Sequence, residues 1–176
     1  SDASRIDAEL SRATFQPVDM VALVTNIIER RRNRGIDEGR EIVFEHPHRA
    51  ACTMGVPERL ERVIDNLLDN AVSFSPEKGT IRVVIDQDRD AIATMVIDEG
   101  PGIPPDARDK VFERFHSDRP EAEGFGNHSG LGLAIGRTIA EAHGGMLSVH
   151  DRPDGEGGAC LVLDLPAMPD DSLNGA

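Results

Sequence analysis

Asn66 and Asn70 stand four residues apart in the run ERLERVIDNLLDNAVSFSP, residues 58–76. On a helix that spacing puts both carboxamides on one face, with Arg62 one turn above. Magnesium prefers oxygen ligands, few of them from protein and the rest from water or substrate phosphate, so the pair is a candidate magnesium edge. An isolated NxxxN is also what a solvated helix face carries, and the downstream chain has to decide. Asp98 heads the stretch DEGPGIP, in which Gly100 and Gly102 let backbone approach a flat ligand and Pro101 stiffens the turn. A carboxylate fixed there can accept the exocyclic amine proton of adenine, although alone the stretch reads first as a plain tight turn. Further on, Gly124 and Gly126 precede Gly130-Leu131-Gly132-Leu133, which opens onto AIGRTIAEAHGG. Glycines before a helix start leave N–H groups free for phosphate, aided by the helix dipole, with Lys110, Arg114 or Arg119 as supporting cations. No GK[ST] follows, which excludes a Walker loop. Ile135 in place of a third glycine, after the non-strand FGNHS, argues against a dinucleotide fingerprint.

The elements that must position these groups are legible from periodicity. Leu60, Val63, Ile64, Leu67, Leu68, Ala71 and Val72 recur at helical spacing and make the asparagine helix amphipathic. An earlier helix is expected over 19–33, its apolar face Met20, Leu23, Val24, Ile27 and Ile28, closed by ERRRNRG. The cluster Arg30, Arg31, Arg32 and Arg34 reads as a solvated helix end rather than a ligand patch. FQPVD before it is extended, since Pro17 disfavours helix at the preceding residue. Short strands are expected at 41–45 and 50–54 around HPHR, whose His46 and His48 read as turn residues, no third metal ligand standing near. A hairpin follows, 80–86 and 91–97 flanking QDRD, and the second strand runs straight into Asp98. A glycine-rich segment at 116–129 looks mobile, a helix follows at about 130–143, and strands at 146–150 and 159–165 flank the loop RPDGEGG. Strands and helices mix without a regular alternation, which predicts an α+β, two-layer sandwich with helices on one face of a mostly antiparallel sheet.

Composition bounds the function. The chain has 176 residues, 39% hydrophobic and 29% charged, the signature of one globular domain. A net charge of −13 and 3% aromatics argue against nucleic acid, whose binders need phosphate-neutralising cations and stacking rings. Cys52 and Cys160 lack metal spacing and read as a reduced pair. With neither a long apolar run nor a signal peptide, a soluble, cytoplasmic polypeptide is expected. The opening SDASRIDAELSR reads as a polar helix end cut from something longer.

An asparagine-pair helix, a strand-ending DxGPG and a GLGL helix start, in this order, resemble the catalytic ATP-binding domain of sensor histidine kinases, in the GHKL ATPase superfamily. DNLLDNAVSFSP is similar to the N box, DEGPGIP to the G1 box, VFERF to the F box and GNHSGLGLAI to the G2 box. The resemblance spans about residues 15–166. FQPVD, NAVSF and ERFHSDRPEAEGFGNHSGLGL are most similar to ChvG-type sensor kinases. The resemblance implies a Bergerat fold, ATP and Mg²⁺ as cofactors, and a flexible lid over residues 116–129. It implies that Asn70 coordinates Mg²⁺ with Asn66 beside it, and that Asp98 binds the adenine amine. Gly100 and Gly102 would line the base, Gly130, Leu131 and Gly132 would cover the phosphates, and Ile103, Phe115, Arg119, Ser129 and Leu133 would complete the nucleotide site. Residues 1–14 then resemble the tail of a helical dimerisation domain, residues 15–166 the catalytic domain, and 167–176 a frayed tail. The implied partners are that histidine-bearing domain and a response regulator receiver domain. The implied parent protein is an inner-membrane sensor, reaching the membrane only through other parts.

Two departures and one choice sharpen this expectation. Many members carry Lys or Arg three residues after the second asparagine; Ser73 stands there, so Arg114 or Arg119 is expected to substitute. A phosphoacceptor His followed by an acidic residue on a helix is missing. His46, His48, His116, His128 and His143 precede Pro, Arg, Ser, Ser and Gly, and His150-Asp151 sits at a strand end. Hydrolytic members of the superfamily place a Glu four residues before the magnesium asparagine as general base. Here that residue is Asn66, and an amide cannot take a proton from water near neutral pH. Transfer to a histidine, whose imidazole already has a lone pair, needs mainly positioning and charge compensation. The expected function is ATP-dependent phosphotransfer to a histidine on another domain, the fragment alone not autophosphorylating. The alternatives are a nucleotide-sensing or docking module without catalysis, and a serine kinase of the anti-sigma type.

Overall fold

The structure is a computed structural model that describes residue 5 and residues 14–113 and 132–169. The expectations placed on the first thirteen residues, apart from Arg5, on 114–131 and on 170–176 lie outside the described residues. Seven strands and three helices are described: β1 (Gln16–Asp19), α1 (Met20–Arg34), β2 (Glu41–Glu45), β3 (Cys52–Gly55), α2 (Pro57–Phe74), β4 (Thr80–Gln87), β5 (Ala91–Ile97), α3 (Gly132–Ala142), β6 (Met146–His150) and β7 (Cys160–Pro166). Two single 3₁₀ turns, Pro105–Ala107 and Lys110–Phe112, follow β5. Five strands form one sheet in the order β2-β4-β5-β7-β6, antiparallel except for the β2–β4 pair, and β1 pairs with β3 in a separate two-stranded sheet.

The α+β sandwich expected from the pattern is what forms. Alternation sends Ile81, Val83 and Ile85 of β4, Ile92 and Val96 of β5, and Leu161, Leu163 and Leu165 of β7 to one face. There they meet the buried stripes of α1, α2 and α3 in a single core. The opposite face keeps a small cluster, Ile97, Cys160 and Val162 with Val84, Ala93 and Met95 against them. Both cysteines are buried and free. Desolvation pushes both thiols up, so neither forms a ready thiolate. The strands around HPHR do not form a hairpin with each other, because β2 pairs parallel with β4 and β3 turns to β1. The last strand does not end the ordered chain either. Ala167 N–H donates to Asp90 O and Met168 N–H to Cys52 O, both at 2.9 Å.

Local chemistry sets the helix ends. Asp19 caps α1 through Oδ1, which accepts from Val21 N–H at 3.0 Å and from Ala51 N–H at 3.1 Å, so one carboxylate starts the helix and anchors β3. Gly35, in the left-handed conformation, closes α1. At one residue the basic end of α1 departs from the solvated reading. Arg31 is 4% exposed and reaches three carboxylates: Asp37 at 2.8 Å, Asp65 at 3.1 Å and Asp69 at 2.9 Å. Burial disfavours its charge, yet Asp37 and Asp69 outweigh that and leave its pKa raised. Only Arg31 departs: Arg30, Arg32 and Arg34 stay exposed, Arg32 donating to Ile42 O.

At the other end of the sandwich, Val56 N–H caps nothing of its own helix but donates to His143 Nε2 at 3.1 Å. Nε2 is therefore the acceptor, Nδ1 carries the proton, and it donates to Ile139 O at 2.8 Å. The ring is 5% exposed, with Phe15 5.0 Å away centroid to centroid. A neutral imidazole thus joins the start of α2, the end of α3 and the entry strand.

Two outcomes follow. Arg31→Ala strands the buried Asp37 carboxylate and is expected to cost on the order of 3 kcal/mol in urea unfolding; Arg31→Lys should not recover it, since one ammonium cannot serve three directions. Desolvation holds the His143 pKa below the ordinary 6.5. Above that value folded and unfolded chains are both neutral there; below it the unfolded chain takes a proton the folded site refuses. Stability should therefore fall as pH drops below about 6.5, by up to about 1.4 kcal/mol per unit, until the folded pKa is passed. Urea curves at pH 7.5, 6.5 and 5.5 should show that part of the slope removed by His143→Gln.

Candidate functional site

The asparagine pair sits on α2, whose opposite side buries all seven apolar residues named above. Asn66 is half-buried and its Nδ2 donates to the carbonyl of Gly132, the first residue of α3, at 3.1 Å. That bond ties the two helices together, and Oδ1 has no hydrogen bond among the described residues. Asn70, also half-buried, makes no hydrogen bond among the described residues. The residues just before each asparagine, Asp65 and Asp69, both face Arg31. One turn of helix thus offers carboxylates to α1 and carboxamides elsewhere, which fixes how α2 is rotated about its axis. Sequence reasoning missed this; the available signal was the Asp65/Asp69 pair, four apart, matched to an arginine-rich helix end.

Asp98 follows the last residue of β5 and is 2% exposed. Its backbone N–H donates to Ala159 O at 3.0 Å. Its Oδ1 accepts from Gly100 N–H at 2.9 Å and from Ala159 N–H at 3.0 Å. Oδ2 accepts nothing among the described residues. The carboxylate is therefore aimed, with one oxygen saturated and one on offer. Desolvation pushes its pKa up; the two N–H bonds and the charge of Arg152 oppose this without cancelling it.

The loop after Asp98 is pressed on both sides. A Cβ on Gly100 would stand 2.6 Å from the carbonyl oxygen of Phe74, one turn beyond Asn70, so the loop lies against the end of the asparagine helix. A Cβ on Gly102, whose φ is +78°, would meet Gly158 O at 3.0 Å. Just before them Glu99 turns outward and accepts from Thr80 N–H at 2.6 Å. Ile103 is half-buried against the core and its carbonyl accepts from Arg108 Nε at 3.1 Å.

Gly132 and Leu133 open α3, Gly132 beside the Asn66 carboxamide and Leu133 against the core. Phe112 of the VFERF stretch is buried, with the Arg137 guanidinium 4.7 Å above its ring centre. Of the site residues read from the sequence, Gly132 meets Asn66, Gly100 binds Asp98 and lies against Phe74 one turn beyond Asn70, Gly102 lies against Gly158, and Ile103 and Leu133 pack on the core. Arg114, Phe115, Arg119, Ser129, Gly130 and Leu131 lie outside the described residues. Among the described residues no three His, Cys, Asp or Glu side chains cluster as a metal site. His46 and His48 remain turn residues, their rings 6.3 Å apart and His46 Nδ1 bonded to Pro47 O. Oxygen donors for a hard cation come from carboxamides, and that of Asn70 is uncommitted among the described residues, which fits magnesium completed by water and phosphate. No helix among the described residues is long and apolar enough to cross a membrane.

Comparison with known proteins gives this geometry its family. Residues 55–169 match the family of histidine kinase-, DNA gyrase B-, and HSP90-like ATPases. The sensor protein ChvG of Rhizobium meliloti is 43% identical over 96% of the chain and 31% of its own length. The chain thus spans about a third of the length of the curated relatives it matches. The structure of the mycobacterial sensor histidine kinase MprB superposes with a TM-score of 0.74 at 34% identity, covering 89% of this chain and 99% of that one. Full-length ShkA in complex with AMPPNP superposes with a TM-score of 0.72 at 29% identity, covering 92% of this chain and 34% of that one. With the asparagine helix, the aimed carboxylate and the glycine-pressed loop in the expected order, the chain belongs to the histidine kinase-, DNA gyrase B- and HSP90-like ATPase family, as the ATPase domain of a sensor histidine kinase.

Proposed function

We propose that residues 15–166, with Ala167 and Met168 tied to them, bind Mg²⁺-ATP and deliver its γ-phosphate to a histidine on a separate helical dimerisation domain of the same protein. The phosphate then passes to an aspartate of a response regulator. Residues 1–14 are read as the end of that helical domain and 167–176 as a tail. The parent protein is read as an inner-membrane sensor with this domain on the cytoplasmic side. The observation that carries the proposal is Asp98, a buried carboxylate with one oxygen saturated by two backbone N–H groups and the other left to accept.

Each role is one this chain's own residues can perform. Asp98 Oδ2 accepts from the adenine amine, while Gly100, Gly102 and Ile103 form the wall against which the base lies. The Asn70 carboxamide oxygen holds magnesium, with Oδ1 of Asn66 one turn away. Magnesium supplies charge compensation for the triphosphate and for the charge that develops on transfer. Backbone N–H groups at the start of α3 meet phosphate, with Ser129, Gly130, Leu131, Phe115, Arg114 and Arg119 assigned by resemblance alone. Asn66 is spent as a strap between helices and is no base for water, which supports transfer over hydrolysis. The AMPPNP bound by ShkA supports the nucleotide class.

Asp98→Asn replaces the acceptor oxygen or turns an N–H toward the amine, and should weaken ATP binding roughly 10- to 100-fold in a calorimetric titration. Binding of ATP should also decline on acidification at a pH above that of an ordinary carboxylate, since Asp98 must be ionised to accept and its pKa is raised. The transfer step is tested by mixing this chain, γ-labelled ATP and magnesium with the separately expressed dimerisation domain. Alkali-stable, acid-labile label on that domain alone is the expected result. Absence of label on it, with ATP shown to bind, would remove the kinase reading and leave a nucleotide-dependent docking module.

A further inference from the structure

The segment joining β6 to β7 reads in the sequence only as a loop, yet its first arginine is among the most engaged side chains near Asp98. Arg152 has a side chain 10% exposed. Its Nη1 donates to two main-chain carbonyls, Asp98 O at 3.1 Å and Gly157 O at 3.2 Å. Its Nε and Nη2 grip the two carboxylate oxygens of Asp154 at 3.0 and 2.5 Å. Asp154 in turn accepts from Glu156 N–H at 3.1 Å, closing the loop on itself. The next residues are forced against the site. Gly158 has φ of +132°, and a Cβ there would stand 2.0 Å from Asp98 O and 2.9 Å from Arg152 Cδ. Ala159 follows, and its N–H and carbonyl are the groups that bind Asp98 Oδ1 and Asp98 N–H.

We propose that Arg152 is a positioning residue for adenine recognition. By holding the carbonyls of residues 98 and 157 together, it fixes the Ala159 N–H that saturates Asp98 Oδ1 and so aims Oδ2 at the exocyclic amine. The guanidinium suits this task because its planar fork serves two carbonyls and a bidentate carboxylate at once, and a lysine ammonium cannot. Its positive charge beside the Asp98 main chain also favours the ionised carboxylate, the form that accepts. The inference rests on the reading of Asp98 as the adenine acceptor.

The test compares ATP with purine riboside triphosphate, which lacks only the 6-amino group, by calorimetric titration of this chain. Arg152→Ala should weaken ATP roughly five- to tenfold and the analogue less than about twofold, with Arg152→Lys between native and alanine. Asp154→Asn, which loosens the fork while keeping the arginine, should move in the same direction by a smaller factor and guards against a folding failure of the alanine variant. On an Asp98→Asn background, Arg152→Ala should change ATP affinity less than about twofold, since the carboxylate it serves is gone. Equal weakening of both ligands by Arg152→Ala and Asp154→Asn, or unchanged ATP affinity in both, would overturn the positioning role while leaving Asp98 in place. A native chain that binds both ligands equally, or an Asp98→Asn variant that still prefers ATP, would overturn the adenine reading itself and this inference with it.

Discussion

Helix α2 has to satisfy two sides at once, and Arg31 is what makes that arrangement singular. The apolar stripe of α2 would bury equally well with the helix rolled by a few tens of degrees, since hydrophobic contact is non-directional. Three carboxylate bonds to one buried guanidinium are directional. With Asp65 and Asp69 held toward α1, the asparagines one position further on are turned away from it, and Asn66 reaches the start of α3. The ion-pair group costs desolvation and so is weak evidence for added stability. Its contribution is orientation, with stability at risk only when one partner is removed.

Asp98 shows the same logic in a smaller space. A buried carboxylate without partners would take up a proton; two backbone N–H groups and a nearby guanidinium keep the charged form accessible, although desolvation still raises its pKa. Those partners come from both sides of the group, Gly100 from its own loop and Ala159 from just before the neighbouring strand β7. The close approach of Gly100 to Phe74 joins that loop to the end of α2. The loop that carries Asp98 and the helix that carries Asn70 are therefore in contact one turn beyond that asparagine.

Much of this was legible in the sequence. Strands β2, β5 and β6 form over the residues their alternation marks, and the three helices within about two residues, because strong periodicity is bounded by Pro, Gly or Asp at each end. Asn66, Asn70 and Asp98 could be singled out because polar groups at those places in good core elements call for a reason. What was not legible is long-range. Two of the three partners of Arg31 lie 34 and 38 residues away, His143 meets Val56 across 87, and Arg152 reaches Asp98 across 54. No local pattern distinguishes those side chains from solvated ones. The parallel pairing of β2 with β4 is of the same kind, a choice made by the sheet as a whole.

The central claim is that carboxamides on α2 hold the magnesium of a bound nucleotide. Calorimetric titration with ATP, with and without magnesium, for the native chain and for Asn70→Ala tests it most directly. The account predicts saturable binding that weakens at least roughly tenfold when magnesium is withheld, and a variant that binds at the magnesium-free level whether or not the ion is present. Full magnesium dependence retained in Asn70→Ala, or no ATP binding by the folded native chain, would contradict it.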